Sequence, residues 1–146
     1  MKKTDNTNQP ERKTMLSILW IFLSVNYIMC DVFTSMEAPV LQQLIKGQVA
    51  GMNVTQELLL FAAISLEIPF IMIVLSRVLP FKTNKILNVA ASVLMIVYQL
   101  GSFFVGTASL HYIFFSFIEV ACNGIILLIA LKWVNRNENK PIQGDN

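Results

Sequence analysis

Charge is what this sequence has least of. Only 14% of its 146 residues are Asp, Glu, Lys or Arg, against about 25% in soluble domains, and that deficit excludes a water-soluble fold of this length. Histidine occurs once, as His111. Cysteine occurs twice, as Cys30 and Cys122, with no CxxC spacing. The two thiols fall at different depths of different apolar runs, so no disulfide between them is expected, and with one imidazole they do not make a metal site. Glycine is scarce and forms no phosphate-cradling loop. There is no HExxH, and no neighbourhood gathers a serine, a histidine and a carboxylate. These absences leave no catalytic residue, metal ligand or cofactor to name, and binding is expected rather than catalysis. No small-x-small cleavage site follows the first apolar run, which reads as a retained span and not a signal peptide.

What is abundant is apolar sequence, 55% of the chain. It is gathered in four runs, residues 15–33, 58–78, 86–105 and 112–134. Each is near the ~20 residues that cross a hydrocarbon core of ~30 Å. In lipid the backbone must satisfy itself, so runs of this length are helices; alternating barrel strands are absent. The expected fold class is all-α: a four-helix transmembrane bundle with a short external amphipathic helix between spans one and two. The spans are placed at about residues 15–33, 56–78, 86–105 and 109–134. A flexible tail over 1–14 precedes the bundle at 15–134, and a second tail over 135–146 follows it.

The basic residues are distributed asymmetrically. Lys2, Lys3, Arg12 and Lys13 precede span one; Arg77, Lys82 and Lys85 lie between spans two and three; Lys132, Arg136 and Lys140 close the chain. Lys46 alone falls on the other side. The positive-inside rule then predicts a multi-pass protein of the cell inner (plasma) membrane with both termini cytoplasmic. On the opposite side, Thr34 or Ser35 is expected to cap a helix reaching Lys46, with Pro39 in its first turn and Gly47 as its stop. Gly47 and Gly51 then bracket a flexible turn.

Each span carries one polar or small face. Ser17, Ser24 and Asp31 share a face of span one; Asn88, Ser92, Gln99 and Ser102 do so in span three, and Tyr112, Ser116, Glu119, Asn123 and Ala130 in span four. Such faces have no affinity for lipid and are expected to turn inward and meet. Glu67 and Glu119 are the costly members, because an ionisable group at mid-bilayer is expensive and marks a functional site by default. Each lies about 15 Å along a helix descending from the external side, level with Asn26. No lysine or arginine lies at that depth. The expectation is a pair that shares one proton, with Asn26, Gln99, Asn123, Asp31 and Tyr112 as further ligand- or proton-binding residues. Pro69, two residues after Glu67, leaves the carbonyl of Ser65 without its helical donor.

A resemblance rests on Leu19-Trp20-Ile21-Phe22 with Asn26-Tyr27 and Asp31-Val32, on Glu67-Ile68-Pro69 with Leu75-Ser76-Arg77-Val78-Leu79, and on Tyr112-Ile113-Phe114-Phe115 with Ile118-Glu119-Val120-Ala121-Cys122. With these residues the chain resembles an uncharacterised family of small four-span prokaryotic membrane proteins, which implies no assigned activity. More distantly, residues 55–105 resemble DoxX-like proteins, in which a glutamate in span two is followed by a basic residue at the cytoplasmic end. That likeness implies association with membrane redox systems, although Ile68-Pro69-Phe70 replaces the glycines that usually follow the glutamate.

The leading expectation is binding or transport of a small solute or cation, with proton exchange at the glutamate pair. The alternative is a DoxX-like accessory subunit of a membrane redox or stress complex with structural glutamates. The expected partners are the lipid bilayer, a small-molecule or cation ligand, and either a second copy in a homodimer or another membrane subunit. Nucleic acid is excluded, because no folded basic domain exists to carry it.

Overall fold

Helix 1 starts earlier than its apolar run. In the computed structural model, which describes residues 8–104 and 109–133, α1 covers Asn8–Ser35, 28 residues, or about 42 Å at 1.5 Å per residue. The polar residues from Asn8 to Thr14 are thus its first two turns and not a tail. Pro10 falls in the first turn, where its missing N–H costs nothing, and Glu11 suits the positive end of the helix dipole. Arg12 and Lys13 hold this extension by donating to carbonyls at the C-terminal ends of other helices, Lys132 O at 3.4 Å and Leu79 O at 2.6 Å. Residues 1–7, 105–108 and 134–146 lie outside the described residues; they include the rest of the expected N-terminal tail, the expected C-terminal tail and most of the turn between spans three and four.

After α1 comes α2, Ala38–Ile45. Its N-cap position is Glu37, without a side-chain capping bond; Thr34 and Ser35 are still inside α1, so neither caps it. The helix buries none of its residues. Gly47, at φ +70°, takes the left-handed conformation that ends a helix. The expected flexible turn is an ordered hairpin: β1, Gln48–Val49, pairs antiparallel with β2, Met52–Asn53. Its two turn residues, Ala50 and Gly51, have φ of 48° and 77°, the paired positive angles that match the twist of a two-residue hairpin.

Helix α3, Gln56–Val78, begins behind Thr55, whose hydroxyl accepts from Leu58 N at 3.3 Å, and it ends at Leu79-Pro80. Helix α4, Phe81–Ser102, starts at once, with Pro80 in the N-cap position. Residues 81–85, which precede the expected start of span three, are its first helical residues. The reason is Asn84: fully buried, it donates to Ser76 O at 2.6 Å and draws the polar turn under the bundle. Helix α5 is Leu110–Leu131. Among the described residues four of the five helices are long and apolar enough to cross a membrane; with α2 and one two-stranded hairpin they make an all-α bundle.

Helix α1 is the centre of the packing. It lies against α3 and α5, and α5 also packs on α4; α3 and α4, although joined by the tightest turn, meet over a much shorter seam. The α1 core stripe, Leu16, Trp20, Leu23, Tyr27 and Cys30, is buried at alternating steps of four and three, one face of a helix. The polar faces do turn inward. Among the described residues Ser17, Ser24, Asn88, Ser92, Gln99, Ser116, Glu119 and Asn123 are all buried. The half nearer the chain termini is a bonded network. Trp20 Nε1 donates to Asn88 Oδ1 at 2.7 Å, Ser76 Oγ to the same oxygen at 3.2 Å, and Asn88 Nδ2 to Asn84 Oδ1 at 2.6 Å. Arg77 Nε reaches Ser17 Oγ at 3.2 Å, and Lys85 Nζ donates to Trp133 O at 3.0 Å. This end of the bundle is therefore basic, and the opposite end carries α2 and the hairpin.

Candidate functional site

The short α3–α4 seam has a consequence for the hairpin half. There the helices enclose a cavity of about 630 Å³. Helix α1 contributes Tyr27, Cys30 and Asp31, α4 contributes Met95, Tyr98 and Gln99, and α5 contributes Tyr112 and Glu119. Leu58, Ala62, Ser65 and Leu66 of α3 form the facing wall, and Val49 and Met52 of the hairpin lie over the outer end. Phe61 and Tyr98, with ring centroids 6.4 Å apart, bridge the seam. The walls are mostly apolar and aromatic with a few polar groups, the usual make-up of a small-molecule site.

Glu119 is the polar group that sets the chemistry. It is 1% exposed, and neither carboxyl oxygen has a hydrogen-bond partner among the described residues. The neighbouring Asn123 is also fully buried; its amide donates to Tyr27 Oη at 2.9 Å and to Glu119 O at 3.0 Å, while its Oδ1 is likewise unbonded. The two unbonded carboxyl oxygens of Glu119 therefore belong to a residue of the cavity lining, which does not include Asn123. The lining contains two acids, Asp31 and Glu119, and no lysine, arginine or histidine. Unpaired buried carboxylates cost several kcal/mol, so a cation or a hydrogen-bond donor against Glu119 is what this arrangement accommodates. No group of three His, Cys, Asp or Glu side chains that could hold a metal ion occurs among the described residues.

The other expected site residues separate into those at the cavity and those away from it. Gln99 and Tyr112 line it, and each is bonded to a neighbour: Gln99 Nε2 donates to Ser116 Oγ at 2.6 Å, and Tyr112 is hydrogen-bonded to Ser102. Asn26 does not line it; its amide donates back to Phe22 O in its own helix at 2.8 Å. Cys30 and Cys122 are free and buried. Near the hairpin end, Glu37 faces His111, with Oε1 and Nε2 3.4 Å apart.

Glu67 requires a correction. It lies on the exposed face of α3 and does not line the cavity, so it is not a partner of Glu119 within the chain. The reason is the face of the helix on which it sits. Helix α3 buries Pro69, Met72 and Ser76, and a residue two positions from Pro69 is turned about 200° from it. Sequence reasoning also passed over Tyr27 and Tyr98 as site residues. The signal for Tyr27 was its place on the Trp20–Leu23–Cys30 stripe; for Tyr98 it was the step to Gln99 and Ser102.

A family model matches residues 3–140. The chain belongs to this family. It is DUF6326, a family of unknown function. No curated protein and no solved structure matches the chain. The DUF6326 match spans all four long helices and thus every residue of the cavity.

Proposed function

We propose that this DUF6326 protein is a membrane-embedded binding protein that takes a small organic cation into the hairpin-half cavity and carries it in exchange for a proton on Glu119. The observation that supports the reading is the Glu119 carboxyl group, buried at the cavity base with both oxygens unbonded and no basic side chain in the lining. Tyr27, Tyr98 and Tyr112 give the walls aromatic faces, which attract cations. The protein acts in the cell inner membrane with both termini cytoplasmic, so the cavity half faces outward. A DoxX-like accessory role would use the two glutamates as ties between helices; the unbonded oxygens of Glu119 and the outward position of Glu67 favour binding instead.

The test uses tetraphenylphosphonium, a rigid lipophilic cation, with the full chain in lipid nanodiscs. Titration calorimetry in two buffers of different ionisation enthalpy gives affinity and the number of protons released. Wild type is expected to bind with net proton release, and Glu119→Gln to bind about tenfold or more weakly, the 1.4 kcal/mol or more expected when a charged partner is lost, with no release. Equal affinity and equal proton counts in the two proteins would overturn the reading.

A further inference from the structure

The outward face of α3 carries a second pattern, independent of the cavity. Leu60, Ile64, Glu67, Ile71, Val74 and Val78 follow one another at steps of four, three, four, three and four. That is the spacing of a coiled-coil seam, with one polar residue at an interior position. Each of the five apolar members is between 47% and 72% exposed, and Glu67 is exposed with them. Among the described residues no other helix covers the seam.

We propose that this seam is the interface for a second copy of the chain, α3 against α3, centred on Glu67. The argument is complementarity at a fixed depth. A carboxyl group facing hydrocarbon is costly, and apolar side chains alone give no drive for helices to associate in lipid. A covering protein must therefore offer a polar partner at the same level. Two copies in one bilayer, inserted in the same direction, are related by a two-fold axis along the membrane normal, and that symmetry sets every residue near the axis opposite itself. Glu67 then meets Glu67 of the second copy. A carboxyl group offers acceptor oxygens and, as the acid, a donor, so two facing carboxyl groups can bond each other. The flanking Ile64 and Ile71, then Leu60 and Val74, pack above and below it at the parallel left-handed crossing such spacing imposes.

The experiment is cysteine cross-linking in lipid, in a full-length background carrying Cys30→Ala and Cys122→Ala. Single cysteines are placed on the seam at Ile71 and Val74, and on outward faces of other helices at Val93 and Leu128. Oxidation is expected to give disulfide dimers at Ile71 and Val74 and none at Val93 or Leu128. In the same lipid, single-molecule photobleaching is expected to show a dimer dissociation constant about five- to thirtyfold higher in Glu67→Leu and within about threefold of wild type in Glu67→Gln, which keeps a hydrogen-bonding group. A monomer at every protein-to-lipid ratio, faster cross-linking at Val93 or Leu128, or undiminished dimerisation of Glu67→Leu would each overturn the proposal. The cysteine arm keeps Glu67 in place and decides the matter even where Glu67→Leu does not fold.

Discussion

Two buried polar residues of this protein are in opposite states of satisfaction. Asn88 is fully buried and uses both ends of its amide, accepting from Trp20 and Ser76 and donating to Asn84. Glu119 is as deeply buried and uses neither carboxyl oxygen among the described residues. Removing the first orphans its partners; removing the second relieves an orphan. Asn88→Leu is thus expected to destabilise the bundle by about 1–3 kcal/mol, since Trp20 Nε1 and Ser76 Oγ lose their acceptor in a dry interior. Glu119→Met, an apolar replacement of similar length, is expected to leave stability unchanged or raise it by about 1 kcal/mol while abolishing tetraphenylphosphonium binding. Thermal unfolding in one detergent, followed by cysteine-reactive dye at the two buried thiols, measures both. A fall in midpoint for Glu119→Met as large as for Asn88→Leu would mean that Glu119 is an ordinary structural residue. The sequence reading saw that both residues would be buried, because polar side chains at helical spacing have no other place in lipid. It could not see which was bonded, because that depends on whether the facing helix presents a donor at the same height.

At the level of single elements, the connector between α1 and α3 stores a local conflict. Ala50 has φ of 48°, where a Cβ is strained, beside Gly51 at 77°, where glycine is at ease. Nothing lies within 4 Å of a Cβ built on Gly51, so any cost of adding one is conformational and not steric. Ala50→Gly is expected to stabilise the hairpin and Gly51→Ala to weaken it, each by about 1 kcal/mol. The reporter is hydrogen exchange at the Val54 N–H, which bonds Gly47 O at 2.8 Å across the base of the hairpin; protection should rise in the first variant and fall in the second. Exchange unaltered by either would show that the hairpin is held by Val49 and Met52 against the cavity and not by its turn. Strands of two residues are below the length at which alternation can be read, and Ala-Gly lacks the Asn or Asp that usually announces this turn, so the hairpin was illegible in the sequence. The four spans were legible because length and hydropathy are one-dimensional. Rotation about a helix axis is not, and for α3 two faces competed. Ser65, Pro69, Met72 and Ser76 made one, the seam through Glu67 the other, and depth alone drew Glu67 toward Glu119. With small and polar residues preferred between helices, Ser65, Pro69 and Ser76 would have named the inward face.

Across the whole molecule, charge and cavity are separated along the bundle axis. Arg12, Lys13, Arg77, Lys85 and Lys132 gather at the end carrying the α1 N-terminus and the α5 C-terminus, where four of them donate to carbonyls or hydroxyls of neighbouring helices. The cavity, Asp31 and Glu37 belong to the hairpin end, and the hairpin covers it. The basic end resists translocation, and the acidic end lowers the potential for a cation where the cavity is. Under the proposed function this separation predicts one orientation: basic end in the cytoplasm, hairpin outside, cation drawn from the outer face. In the cysteine-free background, a single cysteine at Gln48 in the hairpin is expected to react with a membrane-impermeant maleimide in intact cells. One at Thr83, exposed in the first turn of α4, is expected to react only after lysis. The reverse pattern would place the cavity toward the cytoplasm, and the protein would then take its cation from inside the cell. Equal labelling of both sites in intact cells would indicate dual insertion, and copies running in opposite directions cannot set Glu67 against Glu67 about an axis along the membrane normal. The labelling therefore tests the direction of uptake and the symmetry of the proposed pair together, while the cross-links at Ile71 and Val74 separate the two.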